Sequence, residues 1–251
     1  MPFLARLIFL LVITVSFTKA GAQEIIKKGI SKDPNVIKLN ISALAVKNIS
    51  VQYERQLGKR VTAALNVHFI PYGSLPYVSR IANAVNQPLI NFDKMSFGNI
   101  GVTPELRYYM GLKPPLRGFY MSAFVNYNNY KMNLPVIYGS AIKKTGIFTG
   151  NISSLTAGVQ FGIQWRLTKC LVLDWWIIGP NFGFGKGHFD FAGKLDSFEQ
   201  TDLRDALEQL KRDAPFSWIE GYTVNAEGAN VQVKGPWVGL RGLGFNLGFR
   251  F

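Results

Sequence analysis

The last nine residues, Leu243-Gly-Phe-Asn-Leu-Gly-Phe-Arg-Phe251, constrain the fold more than any other stretch. Leu243, Phe245, Leu247, Phe249 and Phe251 are apolar, while Gly244, Asn246, Gly248 and Arg250 between them are small or polar. Period-two alternation carried to the final carboxylate specifies a β-strand with one apolar and one wet face. In a water-soluble barrel the apolar face would turn inward. Here the other face carries Asn, Arg and glycine, a poor filling for a dry core and a good lining for a narrow wet lumen. The apolar face therefore has to meet an apolar medium on the outside.

The other end of the chain agrees. Met1-Pro-Phe-Leu-Ala-Arg6 carries one basic residue, the run Leu7 to Phe17 is apolar, and Ala20-Gly-Ala22 offers small residues where a signal peptidase reads. This pattern predicts a cleaved signal peptide at 1–22, because the apolar run is too short to span a bilayer. A short segment at 23–34 then leads into one domain at 35–251, a size that suits a single domain. Hydrophobic residues make up 48% of the chain, aromatics 14% and charged residues only 17%. Such an apolar chain without a spanning helical run fits a barrel solvated by lipid. Nine of the fifteen acids lie between Asp190 and Glu227, which leaves the rest strongly basic. With an exported location and no nucleic-acid-binding motif, anionic lipid head groups and lipopolysaccharide phosphates are the better partners for exposed Lys and Arg, and nucleic acid is not expected. Cys170 stands alone, so no internal disulfide or thiolate metal site is expected.

Alternation recurs along the chain. It is read over 36–46, 49–56, 61–69, 100–109, 119–128 and 155–167, from 171 to a bulge past Gly179-Pro180, and from about 238 to 251. That predicts an all-β fold, a single antiparallel transmembrane β-barrel of about eight strands. Tight connections near 58, 114 and 169 alternate with long loops at 72–98, 133–150 and 195–236, with one short exception near 47. Short turns on one side and long loops on the other are how such barrels are laid out. The 72–98 loop carries Val78, Ile81, Ala82 and Val85 at helical spacing. The last loop predicts a short helix of about three turns, opened by a capping box at Ser197-Phe-Glu-Gln200 and striped by Leu203, Leu207 and Leu210, which need a surface to pack on. Tyr108, Phe119, Trp165, Phe249 and Phe251 fall near one expected rim, and Phe69, Phe97 and Tyr127 near the other.

On these residues the chain resembles the small eight-stranded outer-membrane barrels of the OmpA/OmpX type, and more closely a family of outer-membrane barrel proteins common in Bacteroidota. The terminal strand ending in Phe249 and Phe251 resembles the signal strand by which the barrel assembly machinery recognises its clients. The resemblance implies an outer-membrane location in a Gram-negative envelope. No peptidoglycan-binding domain is expected after Phe251, so a cell-wall role is not implied.

The chemistry is sparse. Inward positions place Lys38, Glu54, Glu105, Arg107, Arg166, Asp174 and Arg250 within about five residues of the short-turn end, about half of a 9–11-residue spanning strand. Charges crowded into so narrow a lumen are expected to pair into a network that plugs it. His68 faces the lumen where Ser42, Ser50 and Ser154 also lie, but no inward carboxylate at that level orients it. A lipid hydrolase or acyltransferase using His68 is therefore the lesser reading; Asp93 and Asp190 lie in or near loops and could be recruited, but nothing in their spacing points to it. Gly183-Phe-Gly-Lys-Gly187 lacks the helix and the Ser/Thr of a phosphate loop and is read as glycines at a strand end. No cofactor, metal site or catalytic residue is expected. The leading reading is a non-enzymatic barrel whose loops meet lipopolysaccharide, a surface protein or an envelope complex, with a narrow solute pore as another alternative. If the terminal strand is the assembly signal, deleting Phe251 or changing it to Asp lowers the heat-modifiable folded fraction on gels. An unchanged fraction would sink that reading.

Overall fold

The computed structural model describes residues 34–74, 76, 89–111, 116–139, 142–213 and 218–251. The signal peptide read at 1–22, nearly all of the segment at 23–34 and the helical set from Val78 to Val85 lie outside the described residues. The strands are β1 (Asn35–Asn40), β2 (Ile49–Gln56), β3 (Val61–Gly73), β4 (Ser96–Tyr109), β5 (Gly118–Tyr138), β6 (Lys144–Arg166), β7 (Leu171–Ala192), β8 (Ile219–Asn225) and β9 (Gly228–Arg250), with one α-helix, α1 (Ser197–Asp213), before β8. All pairings are antiparallel. β1 to β7 pair in chain order, β7 pairs β9, and β9 returns to β1 from Val36↔Arg250 to Asn40↔Asn246. Eight strands thus form a closed barrel, and β8 lies outside the ring as a hairpin partner of the upper part of β9. No helix among the described residues is long and apolar enough to cross a membrane.

Strand heights are unequal, and this is where the structure departs most from the expectation. The loop expected at 133–150 is mostly strand, since β5 runs for 21 residues and β6 for 23. The reason is a reversal of polarity within single strands. In the lower part the outward row Val125, Ala157, Phe182, Val238 and the next row Tyr127, Leu155, Phe184, Pro236 are apolar, pairing residue by residue across β5, β6, β7 and β9. One row further up, the outward residues become Asn129, Ser153, Lys186 and Lys234, then Lys131, Asn151, His188 and Gln232. The inward face changes in the opposite sense: Gln160, Gln164, Thr156 and Asn128 below give way to Met132, Val136, Phe148, Ile152, Phe189 and Val231 above, all buried. The barrel is thus apolar outside and polar inside below, and polar outside and apolar inside above. A period-two search tuned to one face loses the signal where the faces exchange.

The upper half buries its apolar inner face against α1. Leu203 and Leu207 are fully buried in one cluster with Met132, Val136, Phe148 and Phe189, and Leu210 packs at its edge. Burying side chains of this size contributes about 1.5–3 kcal/mol each. The helix has 17 residues, longer than the three turns expected. Its cap is also shifted by one residue: Asp196 Oδ1 accepts from Glu199 N at 2.8 Å while Glu199 Oε2 accepts from Asp196 N at 2.9 Å. The Lys144 ammonium also donates to Glu199 and holds its carboxyl below the usual carboxylate range. Between α1 and the sheet remains an apolar cavity of about 300 Å3, bounded by Met132, Phe148, Ile152, Leu207, Val231 and Trp237 among others.

Two local corrections set the shape of the mouth. β1 stops at Asn40 instead of running to 46, because Asn40 Oδ1 accepts from Ser42 Oγ at 2.8 Å and Ala43 N at 2.9 Å and turns the chain into a 3-10 turn at Ala43–Val46. In β7 the change of phase falls at Ile177-Ile178, just before Pro180, and β9 changes phase beside it at Gly242-Leu243, where Leu243 has a φ of 54°. Across the mouth lies a row of four rings: Phe97–Tyr130 at 5.7 Å, Tyr130–Trp237 at 5.2 Å and Trp237–Trp218 at 5.0 Å between centroids. Phe97 therefore faces inward and is not a rim residue. Gly183, Gly185 and Gly187 are not at a strand end but inside β7. A Cβ on Gly185 would lie 2.7 Å from Trp237 Cε3, so the bare backbone leaves room for the indole to cross the lumen. Gly185→Ala is expected to displace Trp237, lower stability by about 1–3 kcal/mol and change the near-UV circular dichroism. Gly221→Ala, where nothing lies within 4 Å, should leave both nearly unchanged. An unaltered near-UV spectrum in Gly185→Ala would show that the indole does not need the gap.

Candidate functional site: the filled lumen and the chamber above it

Alternation in β1, β2, β4 and β7 turns Lys38, Glu54, Glu105, Arg107 and Asp174 inward, and the shift of phase in β9 adds Arg241. Lys38 Nζ donates to Glu54 Oε2 at 2.5 Å, Asp174 Oδ2 at 2.6 Å and Gln164 Oε1 at 2.7 Å, which uses all three ammonium hydrogens. Arg107 donates from Nε to Glu105 Oε1 at 2.7 Å, from Nη1 to Asp174 Oδ2 at 2.7 Å and Glu54 Oε2 at 3.2 Å, and from Nη2 to Gln52 Oε1 at 2.9 Å. Arg241 Nη1 reaches Glu105 Oε2 at 2.9 Å. Neutral donors complete the carboxylates: Thr62 and Tyr109 on Glu54 Oε1, Gln52 on Glu105 Oε2, and Tyr120 on Asp174 Oδ1. Three cations thus face three carboxylates, each carboxylate oxygen is hydrogen-bonded, and all but Arg241 have fully buried side chains.

Aromatic faces finish the packing. The Arg107 guanidinium lies 4.3 Å from the Tyr120 ring centre, and that of Arg241 lies 3.8 Å from Trp176. Buried charges are tolerated only with such complete pairing, and removing one member strands the others. The pairs also tie distant walls together, as Arg241 of β9 meets Glu105 of β4 and Arg107 of β4 meets Asp174 of β7.

Not every residue expected in this cluster belongs to it. Arg166 lines the short-turn end, but its Nε is buried without a hydrogen-bond partner and it makes no ion pair among the described residues. Arg250, expected in the same set, is buried on β9 opposite Val36 of β1, at the end of the barrel where β1 and β9 close the ring. Arg241 was missed because strict alternation counted back from Phe251 turns it outward; the two-residue step at Gly242-Leu243 reverses that. The glycine pair at 242 and 244 flanking Leu243 was the only trace of the step in the sequence. Phe249 and Phe251 are exposed and outward, with rings 6.4 Å apart.

Above the cluster lies a polar chamber of about 300 Å3, with Asn66, Asn99, Asn126, Asn128 and His68 on its walls and Arg241 at its base. His68 Nε2 is 2.9 Å from Asn128 Oδ1, an arrangement in which this nitrogen carries the proton and donates. Ser50 bonds Asn66, Ser42 bonds Asn40, and the carboxylates of the lumen are held by Lys38, Arg107 and Arg241. The described residues contain no grouping of His, Cys, Asp and Glu that would hold a metal ion.

Ring closure and this filled interior define a small antiparallel β-barrel with its lumen blocked by paired charges at one end. The chain belongs to the family described as Protein of unknown function (DUF3575), whose model matches residues 7–201. No curated protein matches the chain. Arg107→Ala is expected to lower the unfolding free energy of the folded barrel by about 3–5 kcal/mol, since it leaves buried carboxylates short of partners. Arg166→Ala should cost less than about 1 kcal/mol. Urea titration of both variants decides, and equal losses would remove the distinction between cluster and bystander.

Proposed function

We propose that the protein is a non-enzymatic outer-membrane β-barrel of the small OmpA/OmpX-type architecture, exported through a cleaved signal peptide, whose part beyond the membrane serves interaction. The observation that carries this reading is the reversal of polarity along β5, β6, β7 and β9. An outer surface bearing Ile100, Phe119, Leu155, Phe182 and Phe249 at about half exposure or more is too apolar for water. Around a closed ring of strands it suits a hydrocarbon layer. Lys131, Lys186 and Lys234 face outward within two rows of its upper border, where they would meet lipid or lipopolysaccharide phosphates. The upper sheet with α1 would stand beyond that layer and offer the acid-rich segment 190–227 to an envelope or surface protein.

The charge cluster supports a structural lumen in preference to a pore. A lipid-modifying role for His68 has weaker support, because the imidazole bonds an amide and the lumen carboxylates are engaged below it. Cysteine labelling tests the placement in a Cys170→Ser background. On intact cells a membrane-impermeant maleimide should label Lys131→Cys and leave Val125→Cys, six residues away on the same face of β5, unlabelled until the membrane is dissolved. Equal labelling of the two would refute the membrane boundary. In a planar bilayer the purified protein should pass no steady current, and sustained conductance would favour the pore.

A further inference from the structure

Among the described residues the wall of the barrel is incomplete at one place. On the side of β9 that faces away from β7, β8 pairs residues 228–233 and β1 pairs 246–250. Two further contacts extend these pairings: Lys234 N donates to Trp218 O, and Phe245 O accepts from Ile41 N at 2.9 Å. Between them, from Gly235 to Gly244, β9 has no partner strand on that side among the described residues. The cause lies in the short β1–β2 hairpin, which turns at Ala43–Val46 far below the tops of its neighbours. Across the notch β3 continues to Gly73 above the last β2 pair, Ile49↔Phe69.

Three properties of this notch point the same way. Its borders are apolar and unusually bare: Leu243 is 75% exposed, Leu240 69% and Val238 66%, and Ile41, Leu44 and Val46 on the hairpin are also exposed. An unpaired strand edge at the height of an apolar belt is tolerated only where it lines a polar cavity. That cavity lies directly behind it, because Asn40 and Asn48 from the hairpin, Ile70 from β3, and Gly239, Leu240 and Arg241 from β9 all line the polar chamber. Inside, Asn48 Oδ1 and Arg241 Nη2 are buried with no hydrogen-bond partner among the described residues.

We propose that the notch admits the polar head of a membrane amphiphile into the chamber while its hydrocarbon chain stays in the apolar belt. The head that fits is uncharged and rich in hydroxyl or amide groups. The three cations of the lumen cluster are already matched by three carboxylates, so the chamber offers no excess charge to an anion. Its Asn side chains and His68 instead present donors and acceptors together, as vicinal hydroxyls require. This inference rests on the reading of the belt as membrane-embedded.

The test is photolabelling of the full protein in phosphatidylethanolamine vesicles containing a monoacylglycerol with a diazirine at the chain carbon nearest the ester. Adducts located by peptide mass spectrometry should fall on outward belt residues such as Val125 and also on inward residues around His68 and Arg241. His68→Trp, which fills the chamber and keeps a ring N–H, should abolish the inward adducts and retain the outward ones, with heat-modifiable mobility verifying its folding. Outward adducts without inward ones in the wild-type protein would overturn the admission of lipid and leave the membrane reading intact. Absence of outward adducts would overturn the membrane reading and the proposal with it.

Discussion

The structure depends on the pairing of β1 with β9. Five residue pairs, Val36↔Arg250 to Asn40↔Asn246, join the two ends of the sheet. They convert an open sheet into a ring. Closure also gives the lumen its contents. Lys38 is brought by β1, Arg241 by β9, Glu54 by β2, Glu105 and Arg107 by β4, and Asp174 by β7. These groups come from five different strands, so the full set of three cations and three carboxylates is assembled only in the closed ring. The ring makes the cluster possible, and the cluster in turn braces the ring across its diameter.

Above the cluster the interior is layered: paired charges, then amides with His68, then a row of stacked rings, then aliphatic packing under α1. Each layer follows from which side chains the inward positions supply at that height, and glycine matters as much as the bulky residues. At Gly185 and Gly235 the missing Cβ atoms leave space for Trp237 and Trp218, whose rings separate the polar chamber from the apolar one. The barrel and the cap above it are therefore one sheet with two opposite solvation rules, and on the outer face of β5, β6, β7 and β9 the change takes place within one row of residues.

The sequence carried the barrel, its antiparallel order, the inward set Lys38, Glu54, Glu105, Arg107 and Asp174, and the helix stripe of Leu203 and Leu207. These share one property: a local period of fixed phase, which the fold preserves. What was hidden depends on changes of phase or on distant partners. β5 and β6 read as ending near 133–150 because their apolar face crosses to the inside there. Arg241 read as outward because a left-handed residue at Leu243 inserts an extra step. Arg166 read as part of the network because alternation gives the side on which a residue faces and not the reach of its side chain. The notch in the wall had no sequence signal, since it arises from the unequal heights of elements 200 residues apart.

The closing pairs also decide when the interior can form. β1 and β9 stand at opposite ends of the described chain, so their contacts have the longest sequence separation in the fold and carry the largest loop-closure cost. Until they meet, Asp174 lacks Lys38 and Glu105 lacks Arg241. A sheet folded as far as β7 therefore holds carboxylates only partly compensated, facing a groove still open to water. The last strand seals that groove and supplies a missing cation in the same event. The charge cluster thus couples ring closure to charge balance: a barrel with its seam unzipped is also a barrel with its electrostatics unbalanced.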